Sequence, residues 1–269
     1  SKRRNYESEE IFHDAWAKSA QIKNVNPVAQ FEGPTSPEYR YVRKLIEPIK
    51  GKKVLVLGCG LGEEAVYLAH KGANVYAIDI SYEMIKFTGR LALEYNVRGR
   101  VHLFHESAEN LSFKNNFFDA VIACNLMHHI KVKKGIRQIH RVLKPNGTAV
   151  FLDPLAYNPI INIYRLMATK VRTDGEHPIT FEDIKKINKY FTVLSHKEFH
   201  LFTLLIFVWF YLGERIHPNK ERYWKKIIYD SKKYKQAFKL LYNIDTFVLS
   251  LIPFLRKFCW VTVISIKKR

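Results

Sequence analysis

The chain has 269 residues, 47% of them hydrophobic, and a formal net charge of +19. That length allows one large domain or two small ones with a real core, and the composition excludes a disordered, collagen-like or low-complexity chain. Cys59, Cys124 and Cys259 lie far apart with no CxxC pair, so neither a disulfide framework nor a metal site is expected, and a reducing, cytoplasmic compartment is.

The N-terminal SKRRNYESEE is polar, and no signal peptide is read there. Ile11, Phe12, Ala15, Trp16 and Ala20 recur at helical spacing, so Tyr6–Ala20 is expected to be an amphipathic helix. GPTSP (33–37) breaks the chain, and a second helix is expected over 36–49. From Gly51 the pattern alternates. Strands are expected at KKVLVLG, NVYAID, RVHLFH, FFDAVIAC and TAVFLD. Helices are expected over 62–71, 82–95 (with Ser81 as N-cap) and 132–143. Strands alternating with helices of that length specify an α/β fold with a doubly wound, mostly parallel sheet. Beyond Asp153, helices are expected over 160–168 and 181–188, with Thr180 and Asp183 forming a capping box. Strands are expected over 191–199 and 259–266, with a basic, apolar and helical stretch between them.

The strongest local signal is VLVLGCGLGEEAVYLA, Val54–Ala69. A buried strand ends in Gly58, Gly60 and Gly62 at alternate positions and then feeds a helix. Glycine permits the tight turn and a close ligand approach, and the helix N-terminus offers free N–H groups. Asp79 ends the next strand, where an acid can hold both hydroxyls of a ribose. Together these features predict an adenosine-type ligand at the switch point of the sheet. The nicotinamide fingerprint G-x-G-x-x-G fails, because its third glycine position is Glu63, and no GK[ST] follows for a phosphate loop.

Residues 51–153 resemble the class I S-adenosylmethionine-dependent methyltransferases, in particular the type 11 methyltransferase domain. The stretches that carry the resemblance are VLVLGCGLGE, VYAIDIS, HESAENLSF, NNFFDAVIACNLMHHI and IHRVLKPNGTAVF. The resemblance implies a seven-stranded Rossmann-like sheet and S-adenosylmethionine as cofactor. It implies that Gly58 and Gly60 approach the methionine half, Asp79 holds the ribose and Ile80 packs on the adenine. Ser107 and Ala108 would sit at the adenine edge, and the Asn125 carbonyl would meet the methionine amine. The chain departs from the family pattern twice. Val56 stands where an acid is usual, which leaves Glu63 or Glu64 to compensate, and Ser107 stands where Asp is common.

Acceptor chemistry belongs beyond the carboxyl ends of the strands. His128 and His129 follow the fourth strand and suit proton removal near neutral pH. Asp153, Tyr157 and Asn158 follow the fifth strand and could line an acceptor pocket. Glu176 and His177, in TDGEHP (173–178), precede a helix that starts at the rim, and either could bind the acceptor or act as base. His13 and Trp16 would reach the cofactor if the first helix closes over it, Trp16 by a cation–π contact. The expected catalytic set is therefore His128, His129, Glu176 and His177.

Residues 201–269 hold 14 Lys/Arg against 4 Asp/Glu, whereas residues 1–200 hold 30 against 21. The charge excess is thus concentrated in the final quarter, interleaved with aromatics and flanked by LFTLLIFVWFYL and TFVLSLIPFL. The first of these runs is shorter than the ~20 residues a spanning helix needs. A basic, apolar helical insert suits an anionic membrane surface or a lid over a greasy acceptor. The expected layout is an N-terminal helical cap (1–50), a Rossmann-like core (51–200), the insert (201–257) and a last core strand (258–269). The expected function is methylation of a small molecule with a hydrophobic or membrane-associated part, such as a lipid, prenylated ring or lipid-linked sugar, by a protein that is cytoplasmic or peripheral on the membrane. Methylation of tRNA or rRNA and a non-catalytic cofactor-binding subunit are the alternatives, and nucleic acid is the corresponding alternative partner.

Overall fold

The computed structural model describes residues 6–173 and 176–268. The core is one sheet of seven strands: β1 (Lys53–Leu57), β2 (Asn74–Asp79), β3 (Val101–His105), β4 (Phe118–Cys124), β5 (Leu143–Pro154), β6 (Thr192–Phe199) and β7 (Val261–Lys267). Their order is β3-β2-β1-β4-β5-β7-β6. β1 to β5 pair in parallel, and β7 runs antiparallel to both β5 and β6. The α/β class and the mostly parallel seven-stranded sheet are therefore as expected. Val54, Leu55, Val56 and Leu57 are all buried, which suits a strand covered by helices on both faces.

The helices are α1 (Tyr6–Ser19), α2 (Pro27–Glu32), α3 (Pro37–Ile46), α4 (Glu63–His70), α5 (Tyr82–Glu94), α6 (Val132–Val142), α7 (Pro159–Met167), α8 (Phe181–Ile187), α9 (Leu205–Leu212), α10 (Tyr223–Tyr229) and α11 (Ser231–Leu251). One apolar layer packs α6 and α8 through Ile136, Ile139, Ile184 and Ile187 against one face of the sheet. The other face carries α3, α4 and α5, and onto this layer the insert is folded. The caps form where the side chains allow. Ser81 Oγ accepts from Met84 N at 3.1 Å, and Thr180 with Asp183 closes a full capping box.

Two differences from expectation have local causes. α2 was not expected as a separate element, although Asn26 caps it, accepting from Ala29 N at 2.9 Å, with Pro27 at its first position. β5 starts at Leu143, directly after α6, and its register on β4 shifts between Phe118 and Ala120, where Lys144–Gly147 loops out. The insert is anchored by the buried Asp245 of α11. Its carboxylate accepts the N–H groups of Leu201 at 3.1 Å and Phe202 at 2.5 Å, and the Thr203 hydroxyl at 3.0 Å. Thr35 Oγ1 also donates to the Ile227 carbonyl at 2.7 Å, tying α10 to the N-terminal cap. All three cysteines are buried thiols.

Candidate active site

In the strand order, β1 is flanked by β2 and β4, and the chain leaves in opposite directions after β1 and β4. This is the switch point of a doubly wound sheet, where a crevice opens at the carboxyl ends of the strands. The crevice is a cavity of about 260 Å³ that runs from the glycine loop to the underside of the insert.

The glycine loop forms the cavity's first wall. Gly58 and Gly60 take φ of +65° and +52°, in the left-handed region that glycine tolerates best. A Cβ on Gly58 would meet Leu126 Cδ1 at 2.9 Å, whereas one on Gly60 would meet nothing within 4 Å. The backbone there faces open space. Asp79, nearly buried, accepts the N–H of Gly60 and of Ser81, each at 2.9 Å, and so holds the two loops together across the crevice. Ile80, Ser107, Ala108 and Asn125 line the same cavity. Asn125 takes φ of +56°, and its side-chain amide donates to the Tyr39 hydroxyl at 3.2 Å.

Val56 is buried in β1 and offers no charge, but Glu63 and Glu64 both line the cavity. Glu63 pairs with Lys225 and accepts the Tyr229 hydroxyl at 2.9 Å. Glu64 accepts Gln30 Nε2 at 2.8 Å. Burial, reinforced by the neighbouring Glu63 carboxylate, pushes Glu64 up to about 8.

The opposite wall carries the histidines. His128 Nδ1 lies 2.7 Å from Asp153 Oδ1, and the His128 backbone N–H points to the same oxygen at 3.3 Å. Both side chains are buried, and burial pushes the imidazole well below its ordinary range. His129 Nδ1 lies 3.2 Å from Glu9 Oε2. Burial raises Glu9, but hydrogen bonds with His129, His13 and Thr173 outweigh it and hold the carboxyl well below the usual range. Glu176 is likewise raised by burial, but His128, His129 and Arg172 bring it down on balance, and Arg172 Nε donates to it at 2.7 Å. Ligand atoms of Glu9, His13 and His129 lie within 4.8 Å of one another, as do those of His128, His129 and Glu176. Spacing along the chain gives no hint of either cluster.

Several candidates fall elsewhere. His177 is exposed and reaches the site only through its N–H, which donates to the His128 carbonyl at 2.9 Å. Tyr157 stacks on Phe181. Asn158 caps α7, accepting from Ile161 N at 3.0 Å. Asp153 lies beneath His128 rather than in an acceptor pocket, and the adjacent Pro154 is the residue that lines the cavity. Asp174 and Gly175 of TDGEHP lie outside the described residues. Trp16 lines the cavity, but its ring is taken by the Arg222 guanidinium, 3.9 Å from the ring centre.

α1 closes over the crevice as a lid. Tyr6 bonds Glu109, Glu9 accepts the Thr173 hydroxyl at 2.7 Å, and Asp14 accepts the Ser81 hydroxyl at 2.5 Å. The insert supplies the remaining wall through Leu204, Phe207, Arg222, Trp224 and Ile227.

Comparison with known proteins places this core. Residues 55–151 match the model of a family described as a methyltransferase domain. A demethylmenaquinone methyltransferase of Clavibacter sepedonicus is 35% identical over 111 residues, which are 41% of this chain and 44% of that protein. An uncharacterised protein of Methanocaldococcus jannaschii is 26% identical over 75% of this chain and 80% of its own length. Over the core, the chain spans about half the length of most curated relatives it matches. A geranyl diphosphate C-methyltransferase from Streptomyces coelicolor A3(2), solved with Mg2+, geranyl diphosphate and S-adenosyl-L-homocysteine, superposes with a TM-score of 0.60 at 12% identity, covering 87% of this chain and 79% of that one. With their strand order and glycine loop, residues 55–151 are thus similar to the core of the class I S-adenosylmethionine-dependent methyltransferases.

Proposed function

We propose that the protein transfers a methyl group from S-adenosylmethionine to a small molecule with an apolar body, held beneath the insert. The observation that carries this reading is the continuity of one cavity. The same space is lined by Gly60 and Asp79 and by Phe207 and Trp260. An acceptor closed in by α1 and the insert must be small. The names of the menaquinone and geranyl diphosphate relatives, both proteins with lipophilic acceptors, support the same class.

The residues present suit the cofactor. The open space over Gly60 admits a ligand against the backbone, Asp79 stands ready for a ribose, and the buried Glu64, its carboxyl raised to about 8, can ionise against a bound ammonium where Val56 cannot. When bound, S-adenosylmethionine supplies an already activated methyl group. The protein's part is then alignment and, for a hydroxyl or carbon acid acceptor, removal of a proton. His128 suits that step best. Asp153 fixes its ring through Nδ1, and burial keeps the imidazole neutral at pH 7, able to take up a proton. Glu176, already charged and paired with Arg172, acts as an electrostatic partner of the histidines rather than as base.

Calorimetry should show binding of S-adenosylmethionine and none of NAD; the reverse would sink the reading. His128→Ala should lower turnover by about 10²–10⁴-fold with little change in cofactor affinity. Near-normal turnover in that variant would remove His128 from the chemistry. We further propose that the exposed apolar residues of the insert rest on an anionic membrane surface from which the acceptor enters.

A further inference from the structure

We propose that the acceptor carries an oxyanion, a carboxylate or phosphate, and that Arg165 and Arg222 bind it in the cavity. This rests on the acceptor-cavity reading above and narrows the substrate class.

Three guanidinium groups line the cavity, from Arg165, Arg172 and Arg222. Arg172 is matched by Glu176. The other two make no ion pair with a carboxylate among the described residues, Arg165 feeling Glu176 only electrostatically. Arg165, on α7, donates to the Asn162 side chain at 2.9 Å and to the Leu155 carbonyl at 3.4 Å, both neutral acceptors. Arg222, just before α10, lies over the face of Trp16 and beside Tyr164. Burial depresses both guanidinium groups to about 10, so each is largely withdrawn from water without an ion-paired carboxylate among the described residues. A buried cation is costly unless paired, and removing the cost takes an anion of matching shape.

The groups also converge. Arg165 and Arg172 both act electrostatically on His128, and Arg172 and Arg222 both act on Tyr164. The excess positive charge thus sits beside the proposed base, while Leu204, Phe207, Phe238 and Trp260 form an apolar wall beyond it. Guanidinium forks match planar or tetrahedral oxyanions by paired N–H donors. An acceptor with an anionic end and an apolar body satisfies both walls together. Anchored by its charge, it would also present the same atom to His128 at each encounter.

The test is a binding experiment, independent of turnover. Octyl phosphate, octanoate, octanol and inorganic phosphate are titrated into the full chain, with and without S-adenosylhomocysteine, for wild type, Arg165→Gln and Arg222→Gln. One or both octyl anions should bind at least roughly tenfold more tightly than octanol. Each variant should lose most of that preference while keeping its octanol affinity and its S-adenosylhomocysteine affinity. Arg222→Gln, just outside a helix, keeps the test alive if Arg165→Gln fails to fold. Equal affinity for octanol and both anions, or an anion preference that survives both substitutions, would overturn the proposal. Inorganic phosphate binding as tightly as octyl phosphate would assign the arginines to a free anion and overturn it as well. Failure to bind S-adenosylhomocysteine, with the anion preference intact, would instead strike at the methyl-transfer reading alone.

Discussion

Glu64 carries a distinctive pH signature. Its carboxyl is pushed to about 8 in the folded chain, against an ordinary value of 4.5. Between those two values the folded state holds a proton that the unfolded state has released, so Glu64 makes stability fall as pH rises from about 4.5 to about 8, and the effect is flat above. A bound ammonium reverses the preference, because an opposite charge favours the carboxylate. S-adenosylmethionine affinity should therefore rise with pH, by up to about tenfold per unit, and level off near 8, with proton release detectable by calorimetry in two buffers of different ionisation enthalpy. Glu64→Gln should bind more weakly and lose that slope; a wild-type affinity independent of pH between 6 and 8 would exclude Glu64 as the amine's partner. Asp79 acts differently. Both of its oxygens accept backbone N–H groups, so Asp79→Ala would remove the proposed ribose partner and loosen the loop together, and cofactor binding should weaken by about 1.5–3 kcal/mol in the same titration. An unchanged affinity would place the ribose elsewhere. The places of Asp79 and the glycines at the crevice were legible in the sequence because they follow from chain-local geometry, a turn after a strand and an acid at a strand end. The Glu64–Gln30 contact, the Asp153–His128 pair and the three arginines were not, because each joins residues that only the tertiary fold brings together.

Among the elements, α1 shows the same division most clearly. Apolar spacing identified it as a helix, and the structure agrees to within one residue, Tyr6–Ser19. Its position over the crevice depends on partners distant in sequence: Glu109 for Tyr6, Thr173 and His129 for Glu9, and Ser81 for Asp14. Asp14 is the simplest of these ties to test. It accepts from the Ser81 hydroxyl and from the Glu83 N–H at 3.2 Å, joining the lid to the N-terminus of α5. Asp14→Ala should raise hydrogen exchange across α1 while the β1 and β4 amides keep their protection, since a lid held by few polar ties opens locally and not with the core. Unchanged exchange in α1 would show that its apolar contacts alone hold it. At the other end of the chain, the insert's helical character was plain from composition. Its division into α9, α10 and α11, and the Asp245 anchor that folds it back, depend on a buried carboxylate meeting three backbone N–H groups some forty residues earlier. No periodicity records that.

For the molecule as a whole, charge and apolar exposure are both concentrated in the insert. Leu240, Ile244, Phe247 and Leu251 fall at i, i+4, i+7 and i+11 on α11 and are all exposed, Phe247 and Leu251 at 64%. Phe254 follows, and α9 adds Leu205, Trp209 and Leu212. Exposed Lys232, Lys235, Lys239 and Arg256 stand on and near the same helix. No helix among the described residues is long and apolar enough to cross a membrane. Each basic residue near an anionic surface contributes about 1 kcal/mol, within a screening length of ~8–10 Å. Apolar side chains entering the headgroup boundary add a term of about 25 cal/mol per Å² that salt does not weaken. Sedimentation with anionic liposomes should therefore show binding that drops with salt to a non-zero remainder, and Phe247→Asp with Leu251→Asp should abolish the remainder without altering cofactor affinity. A structured RNA would instead be released steeply and completely by salt, because phosphate contacts act through counterion release. Absence of liposome binding, together with salt-sensitive RNA binding and methyl incorporation into that RNA, would move the acceptor from lipid to nucleic acid. Self-association that the same double substitution abolishes, seen in sedimentation velocity without liposome binding, would reassign the stripe to a second copy of the chain. A remainder that survives high salt and vanishes with the two aspartates fits only a surface that takes both the charge and the grease, and it would place the cavity mouth within reach of a membrane-dissolved acceptor.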